Sequence, residues 1–471
     1  MVGVRTTPEK KLRTTLWEHQ ERALEHTKKQ PRALLSMDVG TGKSLVAIAT
    51  LLHKKAKKVV IVCPSSMVEV WPEEFDKHVP GRFRVVALSS GMLVKKRAEK
   101  ASEAFFSKEP TVVVTNFEAA WREPLASAFL GAFPDALIVD EAQKVKSSGS
   151  KTNRFCHHLA RDTPTVLCLT GTPLHNSPLD AFGIFKVLDP SVFGWSFNRF
   201  RERYGVLIPG PAPGVPYVVG YKNLSEMADK IRPYAFRVEA DDVLDLPEKV
   251  FLKRYGTLEA SARRIYDSLD REFLAWLGEV EKSGAIAPTN VLTKLLRLQQ
   301  VANGWVTDED DEYHHVSLTK ETMLSEYLDE LPKDEPVVVF TRFKTDVRSV
   351  VRAAEKHGRE WCEISGRRND LKDFQKEDGP TVCIVQTQAG GAGISLVRAR
   401  HAVYYTLPWS FGDRTQTMGR LHRPGQTRPV TYTDLLVKGT IDEHVHAVLQ
   451  KKGDVVAGVL NRLKGAKGRC T

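Results

Sequence analysis

Short, continuous apolar runs alternate along this chain with longer stretches of helical period. Ala33 to Ser36, Val59 to Cys63, Val85 to Leu88, Thr111 to Thr115, Ala136 to Asp140 and Thr165 to Leu169 are the first series. They are apolar throughout instead of alternating, which is the pattern of strands buried on both faces. Residues 12–30 and Leu45 to Leu52 read as helices. After Pro173 the text becomes mixed over 178–235, with Pro209 to Pro216 (PGPAPGVP) as a surface loop, and turns helical in period over 258–300. A second series follows: Val337 to Thr341, Trp361 to Ile364, Thr381 to Gln386, Ala402 to Thr406 and Val430 to Leu436. Strand runs separated by helical segments predict parallel α/β sheets, here two of them joined through a helical middle. Such sheets bind ligands beyond the carboxyl ends of their strands, so the residues that follow each run carry the functional reading.

The first run is followed by MDVGTGKS, Met37 to Ser44, and then by a helix. Strand, glycine turn, lysine, hydroxyl residue and helix form the context of a phosphate-binding loop. Gly40 and Gly42 let backbone N–H groups turn inward around phosphate oxygens, Lys43 can reach the β and γ phosphates, and Ser44 can hold Mg²⁺. Met37 stands where the fully glycine-flanked form has glycine. The run ALIVDEAQ ends in Asp140 and Glu141, a candidate Mg²⁺ holder and a candidate general base. LTGTP, Leu169 to Pro173, suits a loop that senses nucleotide and couples it to movement. In the second series QTMGRLHRPGQ offers Arg420 and Arg423, which would share one face of a helix and could meet a γ-phosphate. QAGGAGISL, Gln388 to Leu396, allows close approach to a phosphate of DNA or of ATP.

Composition changes this picture little. The 471 residues suffice for two or three domains, and 42% hydrophobic with 27% charged residues is an ordinary globular balance. A net charge of +11 favours a polyanionic partner. No run approaches the ~20 residues of a membrane span, and the N-terminus lacks an apolar signal core. The six cysteines (63, 156, 168, 362, 383, 470) contain no CxxC pair. Reduced thiols in a cytosolic compartment are expected, with no zinc site. His314 and His315 beside the acidic loop Asp308 to Glu312 read as solvated loop.

Taken in order, EHQ (Gln20), MDVGTGKS, VCPSSMVEVW, VVVTNFEA, DEAQ, LTGTPLHNSPLDAF, VVVFTRF, QAGGAGISL and QTMGRLHRPGQ resemble the motifs of superfamily 2 helicase-like motors. Within them, LTGTPLHNSPLDAF, the long middle region, Trp409 with Asp413, and LPEKVFLKRYGTLEASARRIY resemble the Swi/Snf group of DNA-dependent ATPases. The resemblance spans about residues 12 to 445. It implies an α/β fold of two RecA-like lobes with parallel sheets, helical insertions and an ATP cleft between the lobes. Lobe one is expected over 1–240 and lobe two over 241–450, with a helical insertion at about 258–330 and a basic tail at 451–471.

The function so implied is an ATP-dependent motor on double-stranded DNA that remodels protein–DNA complexes or branched DNA. The alternatives are a strand-separating or annealing helicase on DNA or RNA, and a nucleotide-gated DNA clamp with little turnover. ATP and Mg²⁺ are the implied cofactors. Gln20 would read adenine, Gly40, Thr41, Gly42, Lys43 and Ser44 would cradle the triphosphate, and Ser44 and Asp140 would hold the metal. Asp140, Glu141, Lys43, Arg420 and Arg423 would carry hydrolysis. Ser65, Thr115, Asn116, Arg342, Gln388, Gly390, Gly391 and Trp409 would face DNA. A monomer is expected, in the cytoplasm or, in a eukaryote, the nucleus, acting on duplex or branched DNA and the proteins bound to it. The chain departs from the group at Trp17 and His19 (Arg and Tyr are usual), at Gln388, where a basic residue is common, and at Ser410-Phe411 in place of Asn-Pro.

Overall fold

The computed structural model describes residues 12–89, 91–209, 216–283, 288–308, 310, 312–387 and 394–463. Gln388, Gly390 and Gly391, most of the Pro209 to Pro216 loop, and the end of the basic tail lie outside the described residues.

The chain folds into two compact units. The first takes the chain up to Tyr204, then Asn223–Leu244, then the segment from Val456; the second takes Gly205–Lys222 and Asp245–Val455. In the first unit the strands are β1 (Arg32–Met37), β2 (Lys58–Cys63), β3 (Arg84–Ala87), β4 (Thr111–Asn116), β5 (Ala136–Asp140) and β6 (Thr165–Thr170). After the antiparallel hairpin β7 (Gly205–Ile208) and β8 (Tyr217–Tyr221), β9 (Ala235–Val238) returns to the first sheet. The order is β3-β4-β2-β5-β6-β1-β9, with every pairing parallel. The edge strand β9 went unread in the sequence because its four residues, AFRV, place a charge inside a run too short to show a period.

The second sheet uses β10 (Lys249–Gly256), then, past the small hairpin β11 (Trp305–Thr307) and β12 (Tyr313–His315), β13 (Val337–Thr341), β14 (Trp361–Ile364), β15 (Val382–Gln386), β16 (His401–Tyr404) and β17 (Val430–Val437). Its order is β10-β17-β16-β13-β15-β14, again all parallel. Val338 and Phe340 of β13 join one apolar cluster with Tyr404 and Tyr432, whereas Val337 and Val339 join another with Val403 and Leu435. Successive residues thus enter cores on opposite faces, which is why these strands are apolar at every position. Helices cover both sheets, and both units are RecA-like lobes. The helical middle is the pair Ala260–Ser283 and Pro288–Ala302. Among the described residues no helix is long and apolar enough to cross a membrane.

One buried cluster in the second unit is polar. The Lys320 ammonium donates to Asn303 (2.8 Å) and the Tyr405 carbonyl (2.9 Å), and pairs with the Asp442 carboxylate at 2.8 Å, with both side chains fully buried. Asn303 in turn donates to Asp346 and Thr406, and Asp346 accepts from the backbone N–H groups of Arg342 and Phe343. The loop after β13 is therefore fixed from inside.

Candidate active site

The first unit gathers its chemistry along the carboxyl edge of its sheet, and strand order divides that edge in two. On or just after β1, β5, β6 and β9 sit the nucleotide candidates; on or just after β2 and β4 sit Ser65, Thr115 and Asn116.

The phosphate loop leaves β1 at Met37 and enters the helix Lys43–His53 through Gly42. Gly40 and Gly42 stand at φ 84° and 87°, the left-handed region that glycine enters without strain. A Cβ on Gly42 would also lie 2.3 Å from the Gln20 amide nitrogen, so Gln20 packs directly on the loop. Its amide donates to the Thr41 carbonyl at 3.1 Å, and the His19 ring nitrogen meets the same oxygen at 2.9 Å. His19, a departure from the group, thus has a defined task in holding the loop. The Lys43 ammonium donates to the carbonyls of Met37 (2.8 Å) and Asp38 (3.1 Å), and Ser44 is half-buried beside it.

Asp140 ends β5 with its carboxyl buried, accepting from the Trp71 indole at 3.2 Å. Burial, with Glu141 next to it, pushes its pKa up to about 7, while Lys43 and Trp71 pull the other way. Glu141 stands at φ 56°, a strained conformation for a side-chain-bearing residue, costing about 1 kcal/mol or more. Its carboxylate accepts from the Gln143 amide at 2.7 Å. Gln143, 4% exposed, accepts in turn from the Thr170 hydroxyl at 2.7 Å, and Thr170 accepts from the Thr172 N–H. The acid pair and LTGTP are thereby joined through a residue the sequence reading passed over. Its only signal was that it follows the acids in DEAQ. Arg237 on β9 was also missed. Its buried guanidinium pairs with Asp38 at 3.0 Å and donates to the Gly171 carbonyl at 3.2 Å, tying the phosphate loop to LTGTP. Among the described residues no group of three or more His, Cys, Asp or Glu could hold a metal by itself. A hydroxyl and one carboxylate beside a triphosphate site are what Mg²⁺ takes when phosphates complete its shell.

On the other half of the edge, Ser65 is exposed in a turn of 3₁₀ helix after β2. Thr115 is fully buried, and Asn116 is 8% exposed with its side chain committed to Arg97 and Glu118.

In the second unit Arg342 is half-buried after β13. Trp409 packs partly buried against the core, its indole donating to Gln299 at 3.0 Å. The expectation that Arg420 and Arg423 share a helical face does not hold, because the helix Phe411–Met418 ends before them and both lie in the turns that follow. Gly425 at φ 101° belongs to that turn structure. Arg420 is 3% exposed, and its carbonyl accepts from the Leu396 N–H; Arg423 donates to the Ile394 carbonyl at 3.2 Å. Gln426 clamps the same segment through the carbonyls of Val397 and Ala399. Ser410 caps the helix by accepting from the Asp413 N–H, and Phe411 packs where Gly453 leaves room, which accounts for that departure.

Two parallel α/β lobes, one with a glycine-lysine loop wired to a strand-end acid pair, define an ATPase of helicase type. The profile of the SNF2-related domain matches residues 19–305, and that of the helicase conserved C-terminal domain matches 319–425. The chain belongs to the SNF2-related family of ATP-dependent helicase-like ATPases. It is similar to the uncharacterized ATP-dependent helicase YqhH of Bacillus subtilis, 24% identical over 455 residues, covering 92% of this chain and 77% of that protein. It is also similar to the putative ATP-dependent helicase/translocase YwqA of the same organism, at 26% identity, covering 89% and 45%. The human DNA annealing helicase and endonuclease ZRANB3 is 24% identical, covering 93% and 39%. This chain thus spans less than half of the latter two. The Sulfolobus solfataricus SWI2/SNF2 ATPase core, solved in complex with dsDNA, aligns over 97% of this chain and 96% of its own at 20% identity, with a TM-score of 0.43.

Proposed function

We propose that this protein is a motor that hydrolyses ATP to translocate along double-stranded DNA, displacing bound proteins or reshaping branched DNA. The observation that carries the reading is the continuous hydrogen-bonded path Glu141–Gln143–Thr170 beside the phosphate loop, which links the hydrolytic acid to a loop able to move with nucleotide state. In this reading Gly40, Thr41, Gly42 and Lys43 hold the triphosphate, and Gln20 meets the adenine. Ser44 and Asp140 would hold Mg²⁺, which when bound supplies charge neutralisation between the phosphates. Glu141 orients the attacking water, and Arg420 and Arg423 are the proposed contacts to the charge that develops on the γ-phosphate. Names of relatives such as "helicase/translocase" and "DNA annealing helicase" support action on nucleic acid.

ATP turnover measured with duplex DNA, single strands and RNA tests this. Duplex DNA should stimulate most, and displacement of a third strand should occur without opening of the duplex. Stimulation by RNA alone would overturn the proposal, and duplex opening would favour a strand-separating helicase. Lys43→Ala and Glu141→Gln should both cut turnover by orders of magnitude, the second with ATP binding retained. A wild-type protein that binds DNA in a nucleotide-dependent way with negligible turnover would be a clamp.

A further inference from the structure

The nucleic-acid half of the first sheet's edge contains a charge that nothing yet described uses. Arg97, on the helix Val94–Phe106, is 4% exposed. Its Nε donates to the Met92 carbonyl at 2.9 Å and one terminal nitrogen donates to Asn116 Oδ1 at 2.9 Å. Both acceptors are neutral, and among the described residues no carboxylate forms an ion pair with it, nor do its other N–H groups find a partner. Glu118 takes the NH₂ of Asn116 at 2.8 Å, which fixes the amide with its oxygen toward Arg97. Burial, with the like charge of Arg122 added to it, makes the guanidinium less willing to carry its proton. Arg122 is exposed, and the Trp121 ring is flanked by the Arg122 guanidinium at 5.4 Å and the Lys151 ammonium at 4.6 Å.

A buried guanidinium without an anion is costly, and its planar fork matches phosphate oxygens. Held from one side by Met92 and Asn116, the remaining donors are oriented before any ligand arrives. We propose that Arg97 binds a backbone phosphodiester of duplex nucleic acid, with Arg122 as the second cation of the subsite and Asn116 as the residue that aims Arg97. The inference rests on the duplex-DNA reading above. It reassigns Asn116, whose side chain acts on the phosphate through Arg97.

The test is duplex binding by the full-length protein, measured by fluorescence anisotropy across a salt series, for wild type, Arg97→Gln, Arg97→Lys, Arg122→Gln and Asn116→Ala, with thermal midpoints as the check on folding. One neutralised phosphate contributes about 0.9 to the log–log salt slope. Arg97→Gln is expected to lower the slope by about that amount and weaken binding about tenfold, equally for unrelated sequences. Arg97→Lys should keep the slope while losing affinity, and Asn116→Ala should do the same. If Arg97→Gln does not fold, Arg122→Gln carries the test, with a smaller fall in slope expected. An unchanged slope in Arg97→Gln, or in Arg122→Gln where the former is unfolded, overturns the subsite. Absence of any duplex binding by wild type instead overturns the motor reading itself.

Discussion

The two halves of one sheet edge differ in how they hold their residues. On the nucleotide half, the residues that matter sit within a few positions of a strand end and bond to one another: Lys43 to the carbonyls of its own loop, Glu141 to Gln143, and Gln143 to Thr170. On the other half, the motif residues Thr115 and Asn116 are buried, and the two cations, buried Arg97 and exposed Arg122, come from a helix and from a later loop. A triphosphate is small enough to be enclosed by backbone N–H groups and one or two side chains, so its site is written as short local strings. A duplex backbone is met by dispersed side chains, so its contacts leave no compact signature.

That contrast also explains how much was legible. The strands of both series could be found because they are buried on both faces, and the glycines of the phosphate loop because only that residue enters left-handed conformations freely. Three things could not be found. Arg237 sits on an edge strand of four residues, and its role arises only when β9 lies against β1, with Ser36 opposite Arg237. The end of the helix ahead of Arg420 was hidden because the glycine-containing text GRLHRPG carries polar spacing that helices and turns share. In the second unit, the ion pair of Lys320 and Asp442 is fully buried, and partners more than a hundred residues apart in sequence are not visible as a pattern.

The sharpest test of the comparison removes the most. Arg420→Ala and Arg423→Ala are expected to lower turnover by on the order of 10³-fold or more with little change in nucleotide affinity, read in steady-state ATPase and nucleotide-binding assays. Glu141→Gln should follow, at about 10²–10⁴-fold. Loss of affinity in step with turnover would mean that these residues bind the ground state instead. A smaller loss is expected from Gln143→Leu, which leaves the Thr170 hydroxyl without its acceptor. DNA stimulation should fall roughly five- to tenfold, the size of a typical coupling between sites, while DNA-independent turnover changes less. If both fall equally, Gln143 merely supports Glu141 and the path to LTGTP carries no signal.

The smallest effect concerns protons, and it belongs to the nucleotide half alone. A carboxyl whose pKa rises on folding, from 3.8 to about 7 for Asp140, leaves the folded protein holding more protons than the unfolded chain across that window. The stability this group contributes is present at the acid end and is lost as pH rises toward 7, so wild type should lose ground to Asp140→Asn between those values in thermal unfolding. A divalent ion needs the ionised carboxylate, and its binding therefore expels the proton. Titration of magnesium nucleotide in buffers of different ionisation enthalpy should show wild type releasing up to about one proton more than Asp140→Asn near pH 6, and no more than it above pH 8. Because the nucleotide's own protons appear in both proteins, the difference isolates this carboxyl. An equal count at every pH would mean that Asp140 is already ionised when the metal arrives, and that Lys43 and Trp71 outweigh its burial.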